Sequence, residues 1–308
     1  GPLSGDAVEL LIRETMSACR ALEQTTRVAY LGPAGTFSQQ AVAKHFGHSV
    51  EAAAEADIDG CFHAVEAGRA DFAVVPAENS TEGSVTRTLD LILASPLQII
   101  GEVLLPIHQN LMRAAAGAGA STSAGGAPSP LAGEGRGEGG VSANASPSPQ
   151  PSPVIPDGLT AWAHEGEGAN AALRAPAPIN RVYGHAQSLA QCQRWLAQHL
   201  PHAEKIAVVS NSEGARRAAT EPDAATLGAA TAAGLYDLAI VAANIEDDAR
   251  NTTRFWVLGV TAAAPSGHDK TSLAVGAANQ PGAVVKLLQP LADAGISMSK
   301  LESRPARQ

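Results

Sequence analysis

On either side of a tract of Gly, Ala, Ser and Pro, short apolar runs alternate with stretches of helical periodicity, and this alternation constrains the fold more than any other feature. RVAYLG reads as a strand entering the turn GPAGTFS, and QQAVAKHFG after it reads as a helix. A helix follows around Asp59–Ala67, then a buried strand Asp71–Pro76, the polar loop AENSTEGSV, a helix through Thr86–Leu93 and a long strand Gln98–Pro106. Past the tract come a strand ending at Arg181–Tyr183, one helix over HAQSLAQCQRWLAQHL and a strand Lys205–Val209. The helix SEGARRAA, an Ala-rich helix, the strand-like AIVAA and the strand NTTRFWVLGV complete the series. This order predicts an α/β protein with a mostly parallel sheet covered on both faces, whose ligands gather at the carboxyl ends of the strands. Before it, Val8, Leu11, Ile12, Thr15, Met16, Cys19 and Leu22 recur at helical spacing, so Val8–Glu23 reads as one amphipathic helix that needs a partner to bury its stripe.

The tract itself, Ala114 to about Pro178, has almost nothing to bury. It cannot offset the ~1–2 kcal/mol per residue of backbone ordering entropy, so it is expected to be a disordered insertion inside one folded unit. Over the whole chain 45% of the residues are apolar but only 4% aromatic, which leaves the core to Ala, Val and Leu. A formal charge of −9 offers no electrostatic footprint for nucleic acid and disfavours an anionic membrane. No apolar run approaches the ~18 residues of a membrane span, and the first residues lack a basic-then-apolar leader pattern. Cys19, Cys61 and Cys192 have neither zinc spacing nor disulfide density, and read as buried thiols of a reducing cytoplasm.

Four segments carry candidate chemistry. LGPAGTFS joins strand to helix through Gly32 and Gly35, with Thr36 at the helix start; it is neither a P-loop nor a dinucleotide fingerprint, and is a ligand-approach turn or simply a tight turn. PAENSTEGSV gathers Glu78, Asn79, Ser80 and Thr81 after a buried strand, as a binding loop or a solvated turn. GHAQSLAQC offers His185, Ser188 and Gln191; His185 has no second ligand at metal spacing and Ser188 no triad partner. In NTTRFW, Thr253 and Arg254 head an apolar strand, where a guanidinium can clamp a carboxylate or can merely pair with Glu246, Asp247 or Asp248. Beyond the linker APSGHDK, the pattern predicts a strand TSLAVGAAN, a turn QPG, a helix AVVKLLQPLADAG and a strand ISMSKLESRP.

Together GPAGTFS, PAENSTEG, EVLLPIHQNLM, HAQSLAQC, NTTRFW and PGAVV…ESRP, in this order, resemble the prephenate dehydratase family, and more closely its bifunctional chorismate mutase–prephenate dehydratase members. The resemblance implies a bilobal α/β dehydratase domain over residues 27–263, similar to solute-binding proteins, interrupted at 114–178. It implies a mutase-helix remnant at 1–26, without mutase activity, and a truncated, partial ACT-like α+β regulatory domain at 269–308. The implied reaction is the decarboxylating dehydration of prephenate to phenylpyruvate, without cofactor or metal. Thr253, Arg254 and Phe255 would be catalytic, with Thr253 assisting the leaving hydroxyl, Arg254 gripping a carboxylate and Phe255 packing the ring. Thr36, Glu78, Asn79, Ser80, Thr81, His185 and Gln191 would bind substrate. Gly282, Ala283, Glu302, Ser303 and Arg304 would form a phenylalanine site, and a cytoplasmic homodimer is expected. Gly184 stands where the family usually has Ser, and SNSEGARRA lacks an acidic residue that some members carry. Three alternatives stay open: an arogenate dehydratase, a catalytically silent module that binds an aromatic amino acid, and a mere structural fragment.

Overall fold

The run RVAYL becomes β1 (Arg27–Leu31), whose Val28, Ala29 and Tyr30 are all shut away from solvent, as an unbroken apolar run buried on both faces requires. In the computed structural model, which describes residues 3–115 and 178–304, β1 is flanked in parallel by β2 (Glu51–Glu55) and β3 (Phe72–Asn79). Beyond β3 lie β11 (Thr252–Gly259) and then β5 (Gln98–Pro106), and the short β4 (Gly83–Ser84) folds back on β3. Successive residues of a strand face opposite sides, and the core divides accordingly. Val28, Tyr30, Val74, Phe255 and Val257 pack under α2 (Phe37–Phe46). Ala29, Ala73, Val75, Trp256 and Leu258 pack under α3 (Ile58–Glu66) and α4 (Thr86–Ala94).

A second lobe is built on the order β10-β6-β9-β7-β8, with β6 (Asn110–Ala114), β7 (Arg181–His185), β8 (Glu204–Val208), β9 (Ala224–Gly228) and β10 (Leu238–Ala242). Its helices are α5 (Ala186–Gln191), α6 (Gln193–His199), α7 (Asn211–Thr220) and α8 (Thr231–Leu235). The chain enters this lobe from β5 to β6 and returns from β10 to β11. The fold is therefore α/β and two-lobed, with two crossings between the lobes.

The expected mostly parallel sheet is corrected by those crossings. β11 runs antiparallel to both β3 and β5, and β6 antiparallel to both β9 and β10. Only strands joined by a helical crossover within one lobe are forced parallel. Four strands went unread: β2, β4, β6 and β9. EAAAE has helix-forming composition, and its pairing with β1 overrides that preference. The single helix expected over HAQSLAQCQRWLAQHL breaks at Cys192, and the polar loop after Pro76 is a continuation of β3 turning into β4.

At the ends the differences are larger. The first helix is α1 (Gly5–Glu23), and it meets the body through Glu14 and Ser17 rather than its apolar stripe: Glu14 accepts from His48, and Ser17 is buried. Leu11, Met16 and Leu22 stay exposed, and so does Cys19, which was expected to be buried. Of the terminal β-α-β pattern only the helix, α9 (Ala283–Asp293), is formed; TSLAVGAAN and ISMSKLESRP form no strand among the described residues. Among those residues no helix is long and apolar enough to cross a membrane.

The expectation of disorder at 114–178 falls mainly on residues 116–177, outside the described residues. Its two flanks are fixed by the same strand. β6 pairs Met112 with Thr226 and β7 pairs Arg181 with Ala224, so the ends lie on either side of β9, about 9–10 Å apart at two strand spacings. Replacing residues 116–177 by a Gly/Ser link of roughly six to eight residues is expected to keep the fold, since closure entropy changes only with the logarithm of length. A loss of the cooperative melting transition in that variant would show that the tract belongs to the fold.

Candidate active site

Both crossings meet at one polar seam. The amide of Ile107 donates to Asn251 O at 2.8 Å, and that of Ile245 donates to Gln109 O at 2.8 Å, so the two linking segments are stitched together. Glu246, with 2% of its side chain exposed, accepts from the Gln109 amide at 2.8 Å and bonds His108 Nδ1 at 2.8 Å. Gln109 is buried and donates through Nε2 to Ser188 Oγ and to Gln191 Oε1, each at 3.1 Å. Ser188 Oγ also accepts from Asn211 Nδ2 at 2.8 Å, so it is a junction between the crossing and α5 rather than a nucleophile. Gln191 is thereby oriented from behind, at the wall of the cleft.

The sharper feature is at the paired ends of β3 and β11. Thr253 stands opposite Asn79 and Arg254 opposite Glu78, but Phe255 stands opposite Pro76, leaving Ala77 as an extra residue in β3. This bulge re-aims the end of β3 so that Asn79 shares a face with Thr253. Asn79 Oδ1 accepts from the amides of Thr81 (3.0 Å) and Glu82 (3.3 Å), which determines which end of the carboxamide is which. Its Nδ2 then donates to Thr253 Oγ1 at 2.8 Å and to Asn251 Oδ1 at 2.9 Å. Both of its hydrogens are committed. Thr253 is thus an acceptor from Asn79, and among the described residues its own O–H has no acceptor. Asn251 Nδ2 is buried and likewise without a partner. Two oriented donors therefore stand side by side with no acceptor among the described residues, and an unpaired buried donor costs about 1–3 kcal/mol unless a ligand takes it up.

Thr81 and Asn251 from one lobe, with Gln187 and Gln191 from the other, line a pocket of about 300 Å³, a volume suited to a small ligand. Acidic residues share the wall, but most are engaged. Asp247 accepts from the amides of Arg194 and Trp195, and Asp248 from Arg250. Burial, reinforced by Glu246 and Asp247, pushes the Cys192 thiol up, which keeps it from acting as a thiolate. Among the described residues no group of three His, Cys, Asp or Glu is arranged to hold a metal.

Other candidates from the sequence take different places. Ser80 bonds both ways with Thr252 and locks the β3–β11 ends together. Thr36 stands at the N-cap position of α2 without a side-chain capping bond and donates to Leu31 O at 3.3 Å, while the carbonyl of Ala34 near it accepts from Ser212 Oγ (2.8 Å) and Tyr236 OH (2.9 Å) of the second lobe. Gly35, at φ +83, packs where a Cβ would lie 3.1 Å from the Tyr236 ring. The glycine-rich turn is therefore a lobe-to-lobe contact. His185 is exposed and caps α5. Arg254 faces the opposite side of the sheet from Thr253, between Glu78 at 3.5 Å and Glu102 at 3.6 Å, and the alternative pairing with residues 246–248 is not formed among the described residues. Phe255 is 2% exposed and belongs to the core under α2, so the expected packing against a substrate ring is corrected to a packing role inside the lobe.

Of the expected phenylalanine-site residues, Gly282 and Ala283 begin α9, and Ala283 lines a small pocket of about 180 Å³. Glu302 and Arg304 bond instead to β4 and α4, and Ser303 is exposed. No hydrogen bond or ion pair joins the two groups among the described residues. Sequence reasoning missed Gln109, Glu246, Asn211 and Asn251. The first and last lie inside segments already singled out, whereas Glu246 looks like one more surface acid until the crossings bring it to Gln109.

Comparison with known proteins bears on the same residues. The profile of a family described as prephenate dehydratase matches residues 28–121 and 170–263. A bifunctional chorismate mutase/prephenate dehydratase of Neisseria gonorrhoeae is 44% identical over 309 aligned residues, covering 100% of this chain and 70% of that protein. A prephenate dehydratase of Lactococcus lactis is 33% identical over 91% of this chain and 82% of its own length. Among solved structures, a prephenate dehydratase of Arthrobacter aurescens in complex with L-Phe superimposes with a TM-score of 0.63 at 26% identity, over 91% of this chain and 76% of that one.

Proposed function

The chain belongs to the prephenate dehydratase family, and from that premise we propose that Thr253 assists loss of the ring hydroxyl of prephenate in the cleft between the lobes. The observation that carries this reading is the commitment of Asn79 Nδ2 to Thr253 Oγ1, which leaves the threonine proton for an acceptor in the cleft. In the reaction the bond to the ring carboxylate breaks and releases carbon dioxide. Its electron pair completes the aromatic ring, and the carbon–oxygen bond opposite breaks. The departing hydroxide takes up one proton and leaves as water, so the prephenate dianion and a proton become phenylpyruvate, carbon dioxide and water.

An alcohol is far too weak an acid to surrender its proton at neutral pH, so Thr253 donates a strengthening hydrogen bond while the oxygen becomes negative. Asn251 Nδ2 supplies a second donor to the substrate's oxygens. Asn79 positions both. Gln191, held by Gln109, contributes from the other lobe, and the lobes exclude water from the collapsing charge. In this reading the enzyme is a carbon–oxygen lyase of phenylalanine synthesis that acts in the cytoplasm as a homodimer. The family profile ends at residue 263, which supports a separate regulatory unit at 269–308. The relative that holds L-Phe supports phenylalanine as its ligand.

One observation favours arogenate as a second substrate. Glu82 at the pocket wall suits an ammonium group where prephenate has a keto oxygen. The test is a side-by-side assay of both compounds, following phenylpyruvate from one and phenylalanine from the other. Turnover of neither overturns the dehydratase reading, and a preference for arogenate reassigns the substrate.

A further inference from the structure

Arg254, on the face of the sheet away from Thr253, sits among charges that come from far along the chain. Its guanidinium lies between Glu78 of β3 and Glu102 of β5, and Arg254 Nε is buried without a hydrogen-bond partner among the described residues. Each of these carboxylates is also gripped by a lysine from the C-terminal stretch, and more closely. Lys300 Nζ is 2.9 Å from Glu78 Oε1, against 3.5 Å for Arg254, and Lys270 Nζ is 2.7 Å from Glu102 Oε1, against 3.6 Å. Lys300 donates as well to Ser84 Oγ at 2.7 Å, and that hydroxyl is bonded to Glu302. Arg304 anchors the same segment independently, at 2.8 Å from Asp90 and 3.0 Å from Thr86 O.

We propose that Lys270 and Lys300 are positioning residues of the dehydratase reaction, which act through Glu102 and Glu78 on Arg254 and so on the end of β11 that carries Thr253. The physical argument is one of neighbours. Glu78 precedes Asn79 and Arg254 follows Thr253, so the residues that orient the reactive hydroxyl on one face are bonded in sequence to the residues that share charge on the other. With both lysines present, the two carboxylates are drawn outward and Arg254 is held loosely between them. Without them, Arg254 has both carboxylates to itself, and a guanidinium free to form close, forked pairs pulls the three strand ends together. Displacements well below 1 Å at Asn79 and Thr253 then misalign the donor, to which rate is far more sensitive than ground-state binding.

This inference rests on the dehydratase reading, and the experiment separates the two. Lys270→Met, Lys300→Met and the double variant are compared with wild type for prephenate turnover. Hydrogen exchange at residues 79–83 and 251–254 is followed in the same samples. The expected result is a kcat lowered roughly tenfold in the double variant with KM within a factor of two, and restored by Lys300→Arg in the Lys270→Arg background. Exchange at 79–83 and 251–254 changes together with kcat, while Arg304 keeps the segment docked. In a Glu78→Gln background, Lys300→Met has no further effect. Wild-type turnover with variants of unchanged kcat overturns the inference and leaves the reading standing. If wild type itself turns over nothing, the reading falls. The positioning contact is then judged by exchange, and identical protection in wild type and double variant overturns it too.

Discussion

Thr253→Val is expected to turn over prephenate at least about a hundredfold more slowly than wild type, with KM changed by no more than a few-fold, the scale of a lost donor at a developing oxyanion. Valine keeps the β-branched shape in β11 and the contacts of a nearly buried side chain, so the fold survives. What disappears is the one hydrogen not already spoken for at that position. The substitution also leaves one hydrogen of Asn79 Nδ2 without its acceptor, which costs about 1–3 kcal/mol of stability. Thr253→Ser, which retains the hydroxyl, recovers much of the rate. A valine variant within a factor of two of wild-type kcat removes Thr253 from the mechanism.

Phe255→Ala is expected to produce the largest loss of stability, about 3–5 kcal/mol from emptying a fully enclosed site among Val28, Tyr30, Val74 and Val103. Against the ~5–15 kcal/mol that holds a typical domain together, this brings the first lobe to the edge of unfolding. Denaturant midpoints measure the loss. Phe255→Leu separates packing from substrate contact: it is expected to fold, with a smaller loss, and to keep KM near the wild-type value. If the leucine variant folds normally but loses substrate affinity selectively, the aromatic ring belongs to the site after all.

The two neighbours in this strand illustrate what a motif conveys. Thr253, Arg254 and Phe255 are contiguous in the chain, and the resemblance assigns all three to catalysis. In a strand they face alternate sides, so contiguity implies separation. Thr253 and Phe255 share a side but not a depth: one is at the open end of the sheet, the other under α2. Arg254 is on the far face with Glu78 and Glu102.

The sequence by itself determined the class of fold, the two α/β stretches either side of the tract, most strands and helices of the first lobe, and the family. It did so because local periodicity and turn residues are properties of neighbours along the chain. The tertiary structure alone decided the antiparallel course of β6 and β11, since strand direction depends on which lobe the chain returns from. It decided the bulge at Ala77, the orientation of the Asn79 carboxamide and the gathering of Gln109, Glu246 and Asn251 at the crossings. It also decided the docking of Lys270 on Glu102 of β5 and of Lys300 on Glu78 of β3. Each joins residues far apart in sequence through hydrogen bonds or charges whose partners no local pattern names. A donor is useful to a substrate only when every nearer acceptor has been ruled out, and that is settled in three dimensions.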